Sequence, residues 1–454
     1  MKPKDFKNEV KKGKIKIAVV GLGWMGLPLA CLLADAGGKV IGVDINHKKV
    51  DAVNKGNCLI SEEGLPKLLK KNVSSGKLKA TKSIREAITK SRVIFITVPT
   101  LVDKHGMSDY SILENLCQNI GRSLQENSLV ILESTVAPNI TERIVKTTLE
   151  KHSGLKAGKD FGLAYSPIRA MGGRVLKDVK RYDKIVGAND RKSLELTSAI
   201  HQLIVKGKVR KVNDLKTAEA SKIFETIYRD INIALVNELA KFCEKAEIDF
   251  IEAKNAANTQ PYSHLHIPSI GVGGHCLPLY PHMLFTEAKM LDLQLKFIKE
   301  GRKVNQDMPR YILRLIASGL RACGKTLKRS KVTILGIAYR PDIKEVRFSP
   351  TLDLIHLLKR RGCRIKVYDP YFSHSELLKM GYKTEPTLRR TIENSDCIVL
   401  TVAHEEFRKL RPQRIVVNAS NPCAIIDGTH ILDPKEVEKV GAIYRGVGRG
   451  IWSK

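Results

Sequence analysis

The sequence predicts an α/β chain in which two doubly wound parallel-sheet domains are joined by a helical central domain, and three observations lead there. At 454 residues the chain is too long for one hydrophobic core. Short apolar strand-like runs alternate with helical patterns over residues 14–213, and the alternation restarts over 325–454. Between them, residues 214–324 read as long helical patterns broken once by the Pro/Gly/His-rich stretch Pro261–Pro281.

In the first domain the expected strands are Lys14–Val20, Lys39–Asp44, Val93–Val98, Ser128–Glu133, Phe161–Tyr165 and Lys184–Val186, with a helix over Trp24–Ala36. In the middle, Ala218–Ala246 carries apolar residues at helical spacing on more than one side, which fits a helix buried between domains or subunits and points to a homodimer. The last domain offers strands at Lys331–Gly336, Arg364–Asp369, Cys397–Val402 and Ala424–Asp427 and a helix at Pro350–Arg361. After Ile443 the glycine-rich stretch through Gly450 is expected to be loose.

Composition narrows the function class. No apolar run approaches the roughly 20 residues a membrane helix needs. The lysine-rich Met1–Lys14 is not followed by an apolar signal segment, so a cytoplasmic protein without a membrane partner is expected. Nine scattered cysteines without a CxxC pair argue against a metal site or a disulfide framework. The net charge of +31 invites a nucleic-acid reading, but the basic residues are spread, with only short runs such as Lys70-Lys71 and Arg360-Arg361. No nucleic-acid partner is expected; a basic surface also suits a small polyanion such as a nucleotide diphosphate.

Two motifs carry chemistry. Gly21-Leu22-Gly23-Trp24-Met25-Gly26 follows the first strand and opens the first helix, the setting of a dinucleotide fingerprint. Gly21 permits the tight turn, Gly23 lets backbone approach a pyrophosphate, and Gly26 lets helix and strand pack closely. The helix N-terminus then turns its free N–H groups toward phosphate. Asp44, ending the second strand, can accept from both ribose hydroxyls and would repel a 2′-phosphate, so the cofactor is read as NAD and the domain as Rossmann-like. The second motif is Gly271-Val-Gly273-Gly274-His275-Cys276, a thiol on a glycine-rich loop, open at this point to either a nucleophilic or a structural reading.

Together with Val98-Pro99-Thr100, Glu133-Ser134-Thr135, Lys222, Arg229-Asp-Ile-Asn232, Asn237-Glu238 and Gly336-Ile-Ala-Tyr-Arg340, these motifs resemble the UDP-glucose/GDP-mannose dehydrogenase family over nearly the whole chain. The resemblance implies two Rossmann-like domains, the second holding a UDP-sugar, and a four-electron oxidation of a sugar C6 hydroxyl to the uronate, as in making precursors of surface polysaccharide. Cys276 would form a thioester, Lys222 would stabilise the developing oxyanion, and Thr135 would orient the hydrolytic water. Lys49, Ser134, Thr135 and Arg347 would join Leu22, Trp24, Met25, Val98, Pro99 and Thr100 around NAD. Lys222, Thr226, Gly271, Gly273, Gly274 and Arg340 would meet the sugar nucleotide. Glu133-Ser-Thr and the stretch Asn258–His275 look most like the branch acting on UDP-N-acetylhexosamines, UDP-N-acetylmannosamine in particular, with UDP-glucose as the rival substrate.

The sequence also departs from the family pattern. Ile168 stands where a glutamate is usual, Thr226 where an asparagine is, Tyr280 where an aspartate is, and Tyr262 where an arginine is. Either a histidine among His264, His266, His275 and His282 supplies the missing base, or the chain has lost hydrolysis or become a non-catalytic nucleotide-sugar binder.

Overall fold

A computed structural model describes residues 2–103 and 106–449. The chain divides into two compact units: Met1–Glu225 with His282–Leu293, and Thr226–Pro281 with Gln294–Lys454. Among the described residues no helix is long and apolar enough to cross a membrane.

The first unit is built on an eight-stranded sheet. Its strands are Lys16–Val20 (β1), Lys39–Val43 (β2), Leu78–Thr81 (β3), Val93–Ile96 (β4), Leu129–Leu132 (β5), Gly162–Tyr165 (β6), Lys184–Ala188 (β7) and Val209–Lys211 (β8), in the spatial order 8-7-6-5-4-1-2-3. β4 and β5 are buried along their whole length, which explains their unbroken apolar sequence: helices cover both faces. The β6–β7 pair is antiparallel. Residues 166–183 hold one two-turn helix, Val175–Arg181, and return the chain to the same sheet edge instead of crossing back over a face. That return leaves Ser166 to Arg169 and Asp183 at one end of the sheet, the end at which β1, β4 and β5 finish.

Among the elements that sequence reasoning passed over, three carry little apolar pattern. β3 and β8 are short and half polar, and the N-terminal helix Pro3–Lys11 sits in a lysine-rich stretch. Phe6 and Val10, four residues apart on one helical face, are fully buried in the first unit's core, so this basic segment is a packed part of the domain.

Helix α2 (Leu215–Lys245) begins in the first unit and continues into the second, following α1 (Gly26–Asp35) in our numbering. The second unit carries a five-stranded parallel sheet: Lys331–Leu335 (β9), Arg364–Tyr368 (β10), Cys397–Leu400 (β11), Ala424–Asp427 (β12) and Ile443–Gly446 (β13), ordered 10-9-11-12-13. Helices α3 (Lys296–Ala322) and α4 (Pro350–Arg360) pack with it around a core that includes Ile312, Ile316, Ile334, Leu354 and Val399.

The expected loose tail is a correction. β13 pairs in parallel with β12, Tyr444 and Val447 are fully buried, and the Gly448 carbonyl accepts from Phe250 N–H at 2.9 Å. Glycine there is a packing requirement, since a Cβ on Gly448 would lie 2.8 Å from Ala240 Cβ. Gly450 lies outside the described residues.

Candidate functional site

The fingerprint forms a hydrogen-bonded cassette at the end of β1. Gly21 has φ +98°, and its N–H donates to Val43 O at 2.8 Å. Leu22 N–H donates to Asp44 Oδ2 at 3.0 Å, Asn46 N–H to Asp44 Oδ1 at 2.9 Å, and Lys49 Nζ stands 3.4 Å from Asp44 Oδ2. Thr97 Oγ1, which sequence reasoning missed, donates to both Val20 O and Gly21 O at 2.9 and 2.8 Å. A hydroxyl directly after a fully apolar strand was the available signal.

The glycines divide the work by space. A Cβ on Gly26 would overlap the Gly21 carbonyl oxygen and Thr97 Oγ1, whereas a Cβ on Gly23 would meet nothing within 4 Å. Gly26 is thus needed for close packing, and Gly23 faces open space at the N-terminus of α1, the place where a dinucleotide fingerprint expects its pyrophosphate. Leu22 is buried, Met25 is half-buried and Trp24 is 44% exposed. We expect Gly26→Ala to weaken NAD binding at least about tenfold and to lower stability by about 1–3 kcal/mol, because the turn must open to admit the methyl. Titration with NAD and thermal melting check both numbers.

The loops after β4 and β5 are laced together. Ser134 Oγ donates to Val98 O at 2.7 Å and Thr100 Oγ1 to Thr135 O at 2.6 Å, which brings Val98, Pro99, Thr100, Ser134 and Thr135 into one wall. Beneath it Glu133 is fully buried, 2.9 Å from Lys184 Nζ and 3.3 Å from His201 Nε2. Burial pushes the Glu133 carboxyl up and Lys184 down, and holds His201 well below its usual range, so the imidazole is a neutral neighbour.

On α2, Lys222 is buried with its Nζ 3.0 Å from Glu225 Oε1, and Glu225 Oε2 receives Arg169 Nε at 2.8 Å. Arg169 also donates to Asp183 O at 3.1 Å, beside the buried apolar Ile168. Burial opposes the charged form of Glu225, but Lys222 and Arg169 outweigh it and the carboxyl is held below its usual range.

One turn earlier, Glu219 accepts from Asn139 N–H and from both Thr141 N–H and Oγ1 at 2.6–2.7 Å, clamping the segment after Ser134-Thr135. Burial raises its carboxyl to about 7 against those hydrogen bonds. A carboxyl raised on folding contributes stability that is full below its ordinary value near 4.5 and is lost as pH climbs to about 7. In Glu219→Gln that slope between pH 5 and 8 should flatten, while overall stability falls by about 1–3 kcal/mol because an amide cannot accept from all three donors. Melting temperatures across this pH range test it.

In the second unit the Cys276 loop is shaped by its glycines. A Cβ on Gly273 would lie 2.6 Å from Phe348 O, and one on Gly274 (φ +86°) 2.6 Å from Tyr339 Cε2; Gly271 (φ +133°) crowds Pro350. Gly274 N–H donates to Arg347 O at 3.2 Å, and Leu279 and Tyr280 N–H to Cys276 O at 3.2 and 2.9 Å. Cys276 is half-buried. Tyr339, raised chiefly by burial, interacts electrostatically with it and with Arg340; sequence reasoning quoted this tyrosine inside a motif without giving it a role. Thr226 is fully buried, and the Arg347 side chain is exposed. Burial lowers His275 and His266, so both are neutral near pH 7. The structure therefore gathers the fingerprint, Thr135 and Lys222 in the first unit and Cys276, Thr226, Arg340 and Arg347 in the second.

The second unit repeats the cassette without the fingerprint. Gly336 (φ +97°) donates to Tyr368 O at 2.8 Å, Ile337 N–H to Asp369 Oδ2 at 2.8 Å, and Thr401 Oγ1 to Leu335 O at 2.9 Å. Where the first unit has Gly23 and Gly26, however, Ala338 and Pro341 stand, and Asp369 is sealed under His404, 3.2 Å away and stacked on Tyr371. The backbone approach to a dinucleotide is closed in this copy.

Comparisons with known proteins bear on this geometry. Three models of the UDP-glucose/GDP-mannose dehydrogenase family match: the NAD binding domain over residues 15–205, the central domain over 216–307 and the UDP binding domain over 333–434. The UDP-N-acetyl-D-mannosamine dehydrogenase of Pyrococcus horikoshii is 34% identical over 96% of this chain and 100% of its own length. The solved UDP-D-ManNAc dehydrogenase structure from the same organism superimposes with a TM-score of 0.87 at 33% identity, covering 96% of this chain and 99% of that one. An NDP-N-acetyl-D-galactosaminuronic acid dehydrogenase from Methanosarcina mazei Go1 gives 0.84 at 31% identity, covering 99% and 98%.

Proposed function

The chain belongs to the UDP-glucose/GDP-mannose dehydrogenase family and is an NAD-dependent nucleotide-sugar dehydrogenase, and from that premise we propose that it oxidises the C6 hydroxyl of a UDP-N-acetylhexosamine, UDP-N-acetylmannosamine foremost, to the uronate. Both relatives described above are named for 2-acetamido sugars, which supports the substrate class. The observation that carries the covalent route is the half-buried Cys276 on a loop whose glycines are individually required by the packing of Tyr339 and Phe348.

NAD, when bound, supplies the hydride acceptor. Gly21 to Gly26, Asp44 and Lys49 hold its pyrophosphate and ribose, with the Val98–Thr100 and Ser134-Thr135 wall and Arg347 completing the contacts. Lys222 stabilises the negative oxygen that develops as C6 is oxidised to the aldehyde. The Cys276 thiolate adds to the aldehyde carbon and the oxygen takes up a proton, giving a thiohemiacetal; its C6 hydride then passes to a second NAD and its hydroxyl proton is released, leaving a thioester. Water oriented by Thr135 attacks that carbon, the C–S bond breaks, and the carboxylate leaves with the thiol restored. Thr226, Gly271, Gly273, Gly274 and Arg340 contact the sugar nucleotide.

We assign residues 14–213 to NAD binding, 214–324 to the catalytic and dimer-forming middle, and 325–454 to UDP. The dimer reading rests on α2, where Phe224, Tyr228, Leu235, Leu239 and Phe242 are 37–63% exposed at the spacing of one helical stripe. NADH formed per sugar consumed tests the function with a panel of UDP-N-acetylmannosamine, UDP-N-acetylglucosamine, UDP-glucose and GDP-mannose. Two NADH per sugar with an acetamido sugar is the expected result. One NADH per sugar would mean that the reaction stops at the aldehyde, and a thioester persisting on Cys276 after a single burst of two NADH would mean that Ile168, Thr226 and Tyr280 have cost the enzyme its hydrolytic step.

A further inference from the structure

We propose that Glu225, clamped by Arg169, is a positioning residue that fixes the ammonium group of Lys222. This deepens the function proposed above and rests on it for the role of Lys222. Lys222 has only 8% of its side chain exposed, so it cannot rely on water for charge compensation. Its Nζ is 3.0 Å from Glu225 Oε1, an i,i+3 pair on one face of α2. A carboxylate at this spacing on an exposed helix can swing away. Here Arg169 takes the second oxygen at 2.8 Å and is itself tied to the Asp183 carbonyl at 3.1 Å, so the carboxylate is held at both ends.

The surrounding charges sharpen the need for it. Lys184 is disfavoured in its charged form chiefly by burial and further by Lys222 and Arg169, so positive charge gathers at this end of the sheet. Glu133 is fully buried and engaged with Lys184. Without Glu225, Lys222 and Arg169 would lose the carboxylate they share, and the Lys222 ammonium would be held less firmly toward the reacting oxygen. Ile168, buried and apolar, stands next to Arg169 in sequence where the family places a carboxylate, and the Glu225 carboxylate supplies negative charge beside Lys222. Because Glu225 is held between two cations it is a poor proton acceptor, and its effect passes through Lys222.

The test compares wild type with Glu225→Gln and Glu225→Asp. Transient kinetics of NADH formation should show both hydride transfers slowed by about 10- to 100-fold in Glu225→Gln, with NAD affinity and final NADH per sugar unchanged. Glu225→Asp, which keeps the charge, should recover most of the rate. Independently of turnover, Lys222 in Glu225→Gln should be labelled several-fold faster by an amine-selective acylating reagent, read by mass spectrometry. Unchanged hydride-transfer rates would overturn the proposal, as would normal hydride transfer with acyl-enzyme accumulating on Cys276, which would make Glu225 a base for hydrolysis. A wild type inactive on every sugar sinks the proposed function, and unchanged Lys222 labelling in that case sinks the positioning role as well.

Discussion

Cys276→Ser should abolish uronate formation, lowering it by at least about a thousandfold, while melting within a degree or two of wild type. The loss follows from the nucleophile: a serine hydroxyl is scarcely ionised near neutral pH, whereas a thiol provides an appreciable thiolate fraction and a far better leaving group at hydrolysis. The fold should hold because the loop is anchored by backbone, through Cys276 O and the Gly274 N–H to Arg347 O, and by glycine packing, none of which involves the sulfur. Product analysis by mass spectrometry, alongside NADH yield, reads the result. Full uronate yield from the serine variant would eliminate the thioester route.

Lys222→Ala should reduce kcat by about 100- to 1000-fold with a much smaller change in KM for the sugar nucleotide, as removal of one group aimed at a developing oxyanion does. The variant should fold, because Glu225 keeps Arg169 as its partner at 2.8 Å. Some stability is lost with the buried aliphatic stem of the lysine. A rise in KM with kcat preserved would instead mean that Lys222 binds ground-state substrate only. Lys222→Arg keeps the charge but spreads it over a planar fork, so it should not restore the rate.

Much of this molecule is legible in its residues. The unbroken apolar runs at Val93–Ile96 and Leu129–Leu132 mark strands buried on both faces, and the glycine triplet followed by Asp44 marks the cofactor end of the first sheet. What escaped reading did so for definite reasons. Ile443–Gly446 looks loose because its strand-favouring Ile443 and Tyr444 run straight into the glycine- and arginine-rich stretch that follows, yet pairing with Ala424–Asp427 orders it. The N-terminal helix hides because its two buried residues, Phe6 and Val10, are outnumbered by lysines. Thr97 shows in sequence only as a hydroxyl after an apolar strand and Tyr339 has no signature; the hydrogen bonds of one and the packing of the other reveal them.

The sequence by itself determined the α/β class and the NAD fingerprint, because these depend on periodicity and on glycines at fixed spacing, and it nominated the thiol and amine through the family resemblance. Tertiary structure alone decided which groups surround them. Arg169 and Glu225 are 56 positions apart, Glu219 and Thr141 are 78 apart, and Gly274 meets Tyr339 only after the chain has folded through two helices and a strand. Such pairings arise from where strands end and how helices cross them, and no local pattern records that distance.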